Sequence, residues 1–304
     1  MSETFFYERH TRHKETGEDG TQPTRTHAPT TQRTRTDAPM QPARVRLRTV
    51  ALPTEHGGWG LALEPVVLGL LVAPTVAGLF LAVATLGAFL ARHPLKIIAG
   101  DRRRGRRFPR TAAAERFALL YGGIALAGFA GATVTAVNYQ FIIPLLLAAP
   151  FAFVQLSYDA TGRSRSLAPE LSGSFGLAAV STSIALAAGW PHAASYGLWI
   201  ILAARVIPAI LYVRARLKQL HGEPAASAPL IAAHTCALVI LLLLVWLKVA
   251  PLLAAVALFV LLLRAVHGIS SSATDTTAKQ VGIREIGYGA LTVLAVAAGH
   301  LLSL

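Results

Sequence analysis

Apolar runs of bilayer length recur along this chain, and they leave few folds open. Each is about 20 residues, the length a helix needs to cross a hydrocarbon core about 30 Å thick. In lipid every backbone N–H and C=O must be satisfied within the protein, so spanning segments are helices or closed barrels. Continuous rather than alternating apolarity selects helices. Of the 304 residues 54% are hydrophobic and only 14% are charged, which fits repeated burial in lipid and not a soluble domain. The runs predict nine spans, near residues 55–73, 75–92, 113–134, 139–157, 171–189, 194–212, 226–247, 251–268 and 285–303.

The net charge of +13 would suit a nucleic-acid partner if the cations formed one face. They are instead distributed between spans. The connection after the second span carries Lys96, Arg102, Arg103, Arg104, Arg106, Arg107 and Arg110. Those after the fourth, sixth and eighth carry Arg163 and Arg165; Arg214, Arg216 and Lys218; and Lys279 and Arg284. The opposite connections, "NYQ", "WPHAAS" and "KVAP", hold one cation, Lys248. Alternation of this kind is the positive-inside pattern. It predicts a multi-pass inner-membrane protein with a cytosolic N-terminus and an outside C-terminus, with the lipid bilayer and no nucleic acid as partner. Trp190, Trp199 and Trp246 fall near outer boundaries, as an aromatic belt would.

Residues 1–48 are rich in Thr, Arg, Pro and His and lack the apolar content to bury a core, so they read as a disordered cytosolic tail. Residues 49–304 form the transmembrane helical domain. No apolar stretch near the N-terminus suggests a secretory leader. The single cysteine, Cys236, excludes an internal disulfide and is expected as a small core residue. No nucleotide loop, hydrolase elbow or metal-ligand spacing is present, so no cofactor and no metal are expected.

A few polar groups stand where lipid makes them costly. In "LPTEHGGWGLALEP" Glu55 and His56 stand at the doorway of the first span, and Glu64 lies about nine residues inside it. A carboxylate at that depth must face the bundle interior and be paired or protonated. Pro65 cannot donate to the Leu61 carbonyl, which adds local polarity and predicts a kink. Arg205 is its counterpart in "WIILAARVIPAILYV". Arginine stays charged and needs an internal anion; Glu64 is the first candidate and a bound anionic ligand the second. His56 can exchange a proton near neutral pH. Tyr158, Asp159, Arg163, Arg165 and Glu170 form a compact loop, "SYDATGRSRSLAPELSG", able to line a phosphate-binding lip or to be solvated surface. Gln155 is expected to bridge helices.

The motif "PTEHGGWGLALEPVVLGLL", followed by "RHPLKIIAGDRRRGRR", resembles the YwiC-like family of multi-pass membrane proteins. The likeness is carried by Pro53, Glu55, His56, Gly57, Trp59, Glu64 and Pro65 and extends over residues 50–304. It implies a membrane protein without giving an activity. A more distant likeness is to the UbiA-type prenyltransferases, which have nine helices and functional cytosolic loops after helices 2, 4 and 6. Those enzymes hold magnesium with Asp-rich motifs in two of the loops, where this chain offers only Asp101 and Glu223. The resemblance therefore implies a lipid-binding relative rather than a magnesium enzyme.

The expected fold is an all-α integral membrane bundle of about nine helices, with a distant UbiA-like arrangement. The first expected function is binding of an anionic lipid or isoprenoid-type ligand in a cytosol-facing cavity, using Glu55, His56, Glu64, Tyr158, Asp159, Arg163 and Arg205. Whether catalysis follows is left open. A proton-coupled transporter of a small anion or metabolite, and a non-catalytic assembly protein, are the alternatives.

Overall fold

The computed structural model describes residues 47–53, 56–270 and 277–303, with backbone alone at 56 and 57. The disorder expected for the tail lies outside the described residues except at Leu47 and Arg48, which are helical, and the role expected of Glu55 lies outside them. Among the described residues there are ten α-helices and no strand. They are α1 (Leu47–Ala51), α2 (His56–Val72), α3 (Val76–Arg103), α4 (Pro109–Thr135), α5 (Ile142–Ala160), α6 (Leu167–Ala187), α7 (His192–Leu220), α8 (Ser227–Trp246), α9 (Leu252–Ser270) and α10 (Ala278–Leu302). A 3-10 turn, Tyr139–Phe141, leads into α5.

Eight helices, α3 to α10, are long and apolar enough to cross a membrane, α5 together with its leading turn. The first expected span is the shorter α2, 17 residues, or about 25 Å at 1.5 Å per residue. It continues through Pro65 as one helix. The all-α membrane bundle is as expected, and each of the nine runs corresponds to a helix.

The largest departures of the helix ends from the apolar limits are all at one face. α3 runs to Arg103 and α7 to Leu220, each past the end of its apolar run, while α10 begins at Ala278, before its run starts. Leaving the apolar layer does not stop a helix, because Arg, Lys and Gln are good helix formers. Local chemistry stops it. Glycines with positive φ follow α3, α5 and α7 in the connections at this face (Gly105, Gly162 and Gly222), a conformation side chains resist. At α10 a capping box pairs Thr277 with Gln280.

The described residues form one compact unit. α6 and α7 are its centre, with 67% and 61% of their spanning windows buried, against 11% for α4. α4 lies along α3 at backbone contact. A Cβ on Gly87 would meet the backbone of Ala125 and Tyr121, and one on Gly128 that of Ala84 and Phe80, at 2.7–2.9 Å. Small residues permit such approach where lipid gives no hydrophobic drive for association. The main core joins Leu68 and Val72 of α2, Leu198, Ile201 and Leu202 of α7, Leu241 of α8, Leu258 of α9, and Val293 and Val296 of α10.

Two sequence expectations fail here because position along a helix does not reveal which face a residue occupies. Trp199 is not in a belt: it is 7% exposed, packs on Phe175 and donates its indole N–H to the Phe175 carbonyl at 2.9 Å. Trp246 is exposed at the end of α8, where a belt residue would stand. Cys236 is exposed on α8 and is not a core residue.

Candidate functional site: a charged cavity at the basic end of the bundle

A cavity of about 590 Å³ opens among α2, α3, α5, α6, α7 and α10. It draws on the starts of α2, α6 and α10 and the later halves of α3, α5 and α7, with Ser164 and Arg165 from the α5–α6 connection. All of these lie toward the face that carries the basic connections. One stripe of α7 supplies much of the wall: Arg205, Val206, Ala209, Ile210, Val213, Leu217 and Lys218. Steps of one, three and four residues keep a stripe on one helix face. From Arg205 to Lys218 it extends about 20 Å along the axis.

The inner end is a chain of charges. The Arg205 guanidinium, 1% exposed, forms an ion pair with the Glu64 carboxylate at 3.1 Å, and donates to the Glu285 carboxylate at 3.2 Å and to the Glu285 backbone carbonyl at 2.9 Å. Glu285 also accepts from Arg264 at 2.6 Å. Arg264 sits between the rings of Tyr212 and Tyr288, 4.0 and 4.7 Å from their centroids. The rings offer it cation–π contact in place of full hydrogen bonding, and its Nε and one Nη have no hydrogen-bond partner among the described residues. Four helices thus contribute two carboxylates and two guanidiniums, a sum of zero, which is how a protein tolerates buried charge. Gly289 makes room: a Cβ there would overlap the Glu64 carboxylate and the Arg205 guanidinium.

The outer end is basic and partly paired. Arg214 donates to Glu170 at 2.8 Å and to the Arg165 carbonyl at 3.1 Å. Arg165, Lys218 and His221 are exposed at the mouth beside Glu223. The side chains of Arg165 and Lys218 make no hydrogen bond or ion pair among the described residues. Between the two ends the wall is largely apolar, with Leu61, Phe89, Leu177, Ile210, Val213 and Ile286, interrupted by Arg92, Gln155 and Ser174.

The expected site residues separate accordingly. Glu64 and Arg205 meet, as anticipated, and both line the cavity. His56 opens α2, but its side chain is not among those described. Tyr158 and Asp159 do not line the cavity. Asp159 is buried and holds Arg92 through two contacts, at 2.5 and 3.1 Å. With its amide oxygen toward Arg92, Gln155 accepts from the same guanidinium at 2.9–3.0 Å, so it does bridge α5 to α3. Arg163 lines a separate open recess with Lys96, Gly162 and Ser166, joined to the mouth through Ser164 and Arg165.

Sequence reasoning missed Arg92, Arg264 and Glu285. Arg264 stood in "LLAAVALFVLLLRAVHG", a charge inside an apolar run like Arg205. Glu285 fell on an expected boundary, where a carboxylate attracts no notice. Asp101 faces a different structure. It accepts from Arg110 at 2.7 Å and from the Thr111 hydroxyl at 2.7 Å, closing the α3–α4 turn. Among the described residues no group of three or more His, Cys, Asp or Glu side chains could hold a metal ion.

Fold and cavity together define a multi-pass, all-α membrane protein. Residues 52–188 match the family described as YwiC-like protein, so the opening motif and helices α2 to α6 carry that family's signature. The match ends at the close of α6, and Arg205, Arg264 and Glu285 lie beyond it. No curated protein and no solved structure matches the chain.

Proposed function

We propose that the cavity binds an anionic amphiphile, a lipid or isoprenoid-type molecule with one acidic head, and that the basic connections face the cytosol of an inner-membrane protein. The observation that carries this reading is the order of chemistry along the cavity: cations without a partner among the described residues at the mouth, then a largely apolar wall within the roughly 20 Å from Lys218 to Arg205. An acidic head fits Arg165 and Lys218, since Arg forks match carboxylate and phosphate oxygens and Lys adds a point charge. A hydrocarbon chain fits the wall, as ligand sites are mostly apolar with a few placed polar groups.

The part expected of Arg205 changes. Its guanidinium already holds two carboxylates, so an incoming anion would have to displace one of them. The head therefore belongs at the mouth, with Arg163 in the adjoining recess as an outer contact. A distant UbiA-like relationship is compatible with this reading, which needs no metal and leaves open whether the ligand is chemically changed.

Native mass spectrometry of protein purified from membranes tests the proposal. The wild type should retain a bound anionic lipid-class adduct, and the R165A/K218A variant should lose it. A wild type free of adducts in every mild detergent, or a variant retaining the same adduct, overturns it. One observation favours the second reading, a proton-coupled transporter: Glu64, which lines the cavity, is ion-paired to an almost fully buried arginine. That reading predicts that E64Q abolishes pH-driven anion uptake into proteoliposomes without unfolding the protein. If E64Q/R205M changes neither uptake nor adduct, the charges serve helix packing alone, as in an assembly protein.

A further inference from the structure

The inner end of the cavity is unlike the floor a plain hydrocarbon chain would meet. Three charged side chains line it: Glu64, Arg205 and Glu285. Arg264, which balances the network, does not. The groups presented to the cavity are therefore two carboxylates around one guanidinium, a surface that favours a donor. The bonding within the network sharpens this. Glu64 meets Arg205 through Oε2. Its Oε1 lies above Gly289, makes no hydrogen bond among the described residues, and is not sealed from solvent. A carboxylate oxygen next to a buried ion pair is a strong acceptor, and covering it with hydrocarbon would leave it without water or partner.

We infer that the cavity floor is a second recognition point, where Glu64 Oε1 accepts a hydrogen bond from a hydroxyl at the far end of the ligand. This rests on the proposed binding of an anionic amphiphile and narrows its class to chains polar at both ends, with an acidic head at Arg165 and Lys218 and a hydroxyl at Glu64. The distance from Arg205 to Lys218, about 20 Å along α7, is that of a chain of medium length. Glu64 is in this account a binding residue, and Arg205 and Glu285 are positioning residues that hold its other oxygen in place.

Two synthetic probes of one length separate the ideas: dodecyl phosphate and ω-hydroxydodecyl phosphate. Their affinities are measured by titration of the full chain in nanodiscs. An apolar floor would bind the hydroxylated probe more weakly, because the hydroxyl loses water and gains nothing. The inference predicts the reverse, a preference of roughly tenfold for the hydroxylated probe, the scale of one hydrogen bond to a charged group. In E64L the preference should vanish or invert, while K218A should weaken both probes alike. E64Q, which keeps the side-chain shape, should reduce the preference and carries the test if E64L does not fold. Equal affinities in the wild type, a preference that survives in E64L, or one undiminished in E64Q, overturns the inference while leaving the cavity's function standing. If neither probe binds, the proposed function falls and takes the inference with it.

Discussion

At the end of the bundle whose connections carry little charge, Leu68 and Val72, Leu198 and Ile201, and Val293 and Val296 close α2, α7 and α10 into one apolar core. At the basic end the same three helices part around a cavity, and their contact is made by Glu64, Arg205 and Glu285. One set of helices is thus held by packing along one half and by charge along the other. Lipid surrounds both halves, so neither is held by burial from water in the usual sense. Packing and polar contacts decide. The packed half can be sealed. The charged half borders the cavity, and Arg205 Nε and two Arg264 nitrogens are buried without a hydrogen-bond partner among the described residues.

The contrast can be broken by mutation, with effects that should fall in a definite order. The largest is R205M, which leaves Glu64 without its partner deep in the bundle. Losing one member of a buried pair costs about 3–5 kcal/mol. Chemical unfolding in mild detergent should show it, and E64Q/R205M should recover most of the loss, since Glu285 and Arg264 still pair. Next comes L241A in the packed half, at a residue with no exposed surface. A cavity there should cost about 2–3 kcal/mol, and no second substitution of charge should rescue it. R110A comes third: Arg110 is half-exposed, but it is one of two donors to the buried Asp101. A loss of about 1 kcal/mol is expected, seen as faster proteolysis at the α3–α4 turn. The smallest is C236S on the exposed face of α8, within about 0.5 kcal/mol of wild type by the same unfolding measurement.

Much of the fold was legible because lipid imposes one simple rule, an apolar run per crossing, and the nine runs each became a helix. Helix ends were less legible. Apolarity reports where lipid stops, whereas Gly105, Gly162, Gly222 and the Thr277–Gln280 cap decide where α3, α5, α7 and α10 stop or start. The Glu64–Arg205 contact was readable from the cost of an unpaired charge in an apolar run. Applied to "FVLLLRAVHG", the same argument would have found Arg264. Glu285 could not be found that way, because helix boundaries hide charges among ordinary loop residues. The α5–α6 connection shows the other limit. Its charges suggested one binding lip, but which side chains point inward depends on packing: Asp159 turns toward Arg92, Arg165 toward the mouth and Arg163 toward a neighbouring recess.

The central claim is that the basic end holds an anionic amphiphile within the cavity. Thiol labelling tests it most directly, in a C236S background with one cysteine placed by V213C on the cavity wall and, separately, by W246C at the other end of the bundle. Dodecyl phosphate should slow labelling at position 213 by roughly tenfold or more at saturation and leave position 246 unchanged. Equal labelling rates at position 213 with and without a saturating concentration of the probe would contradict the account.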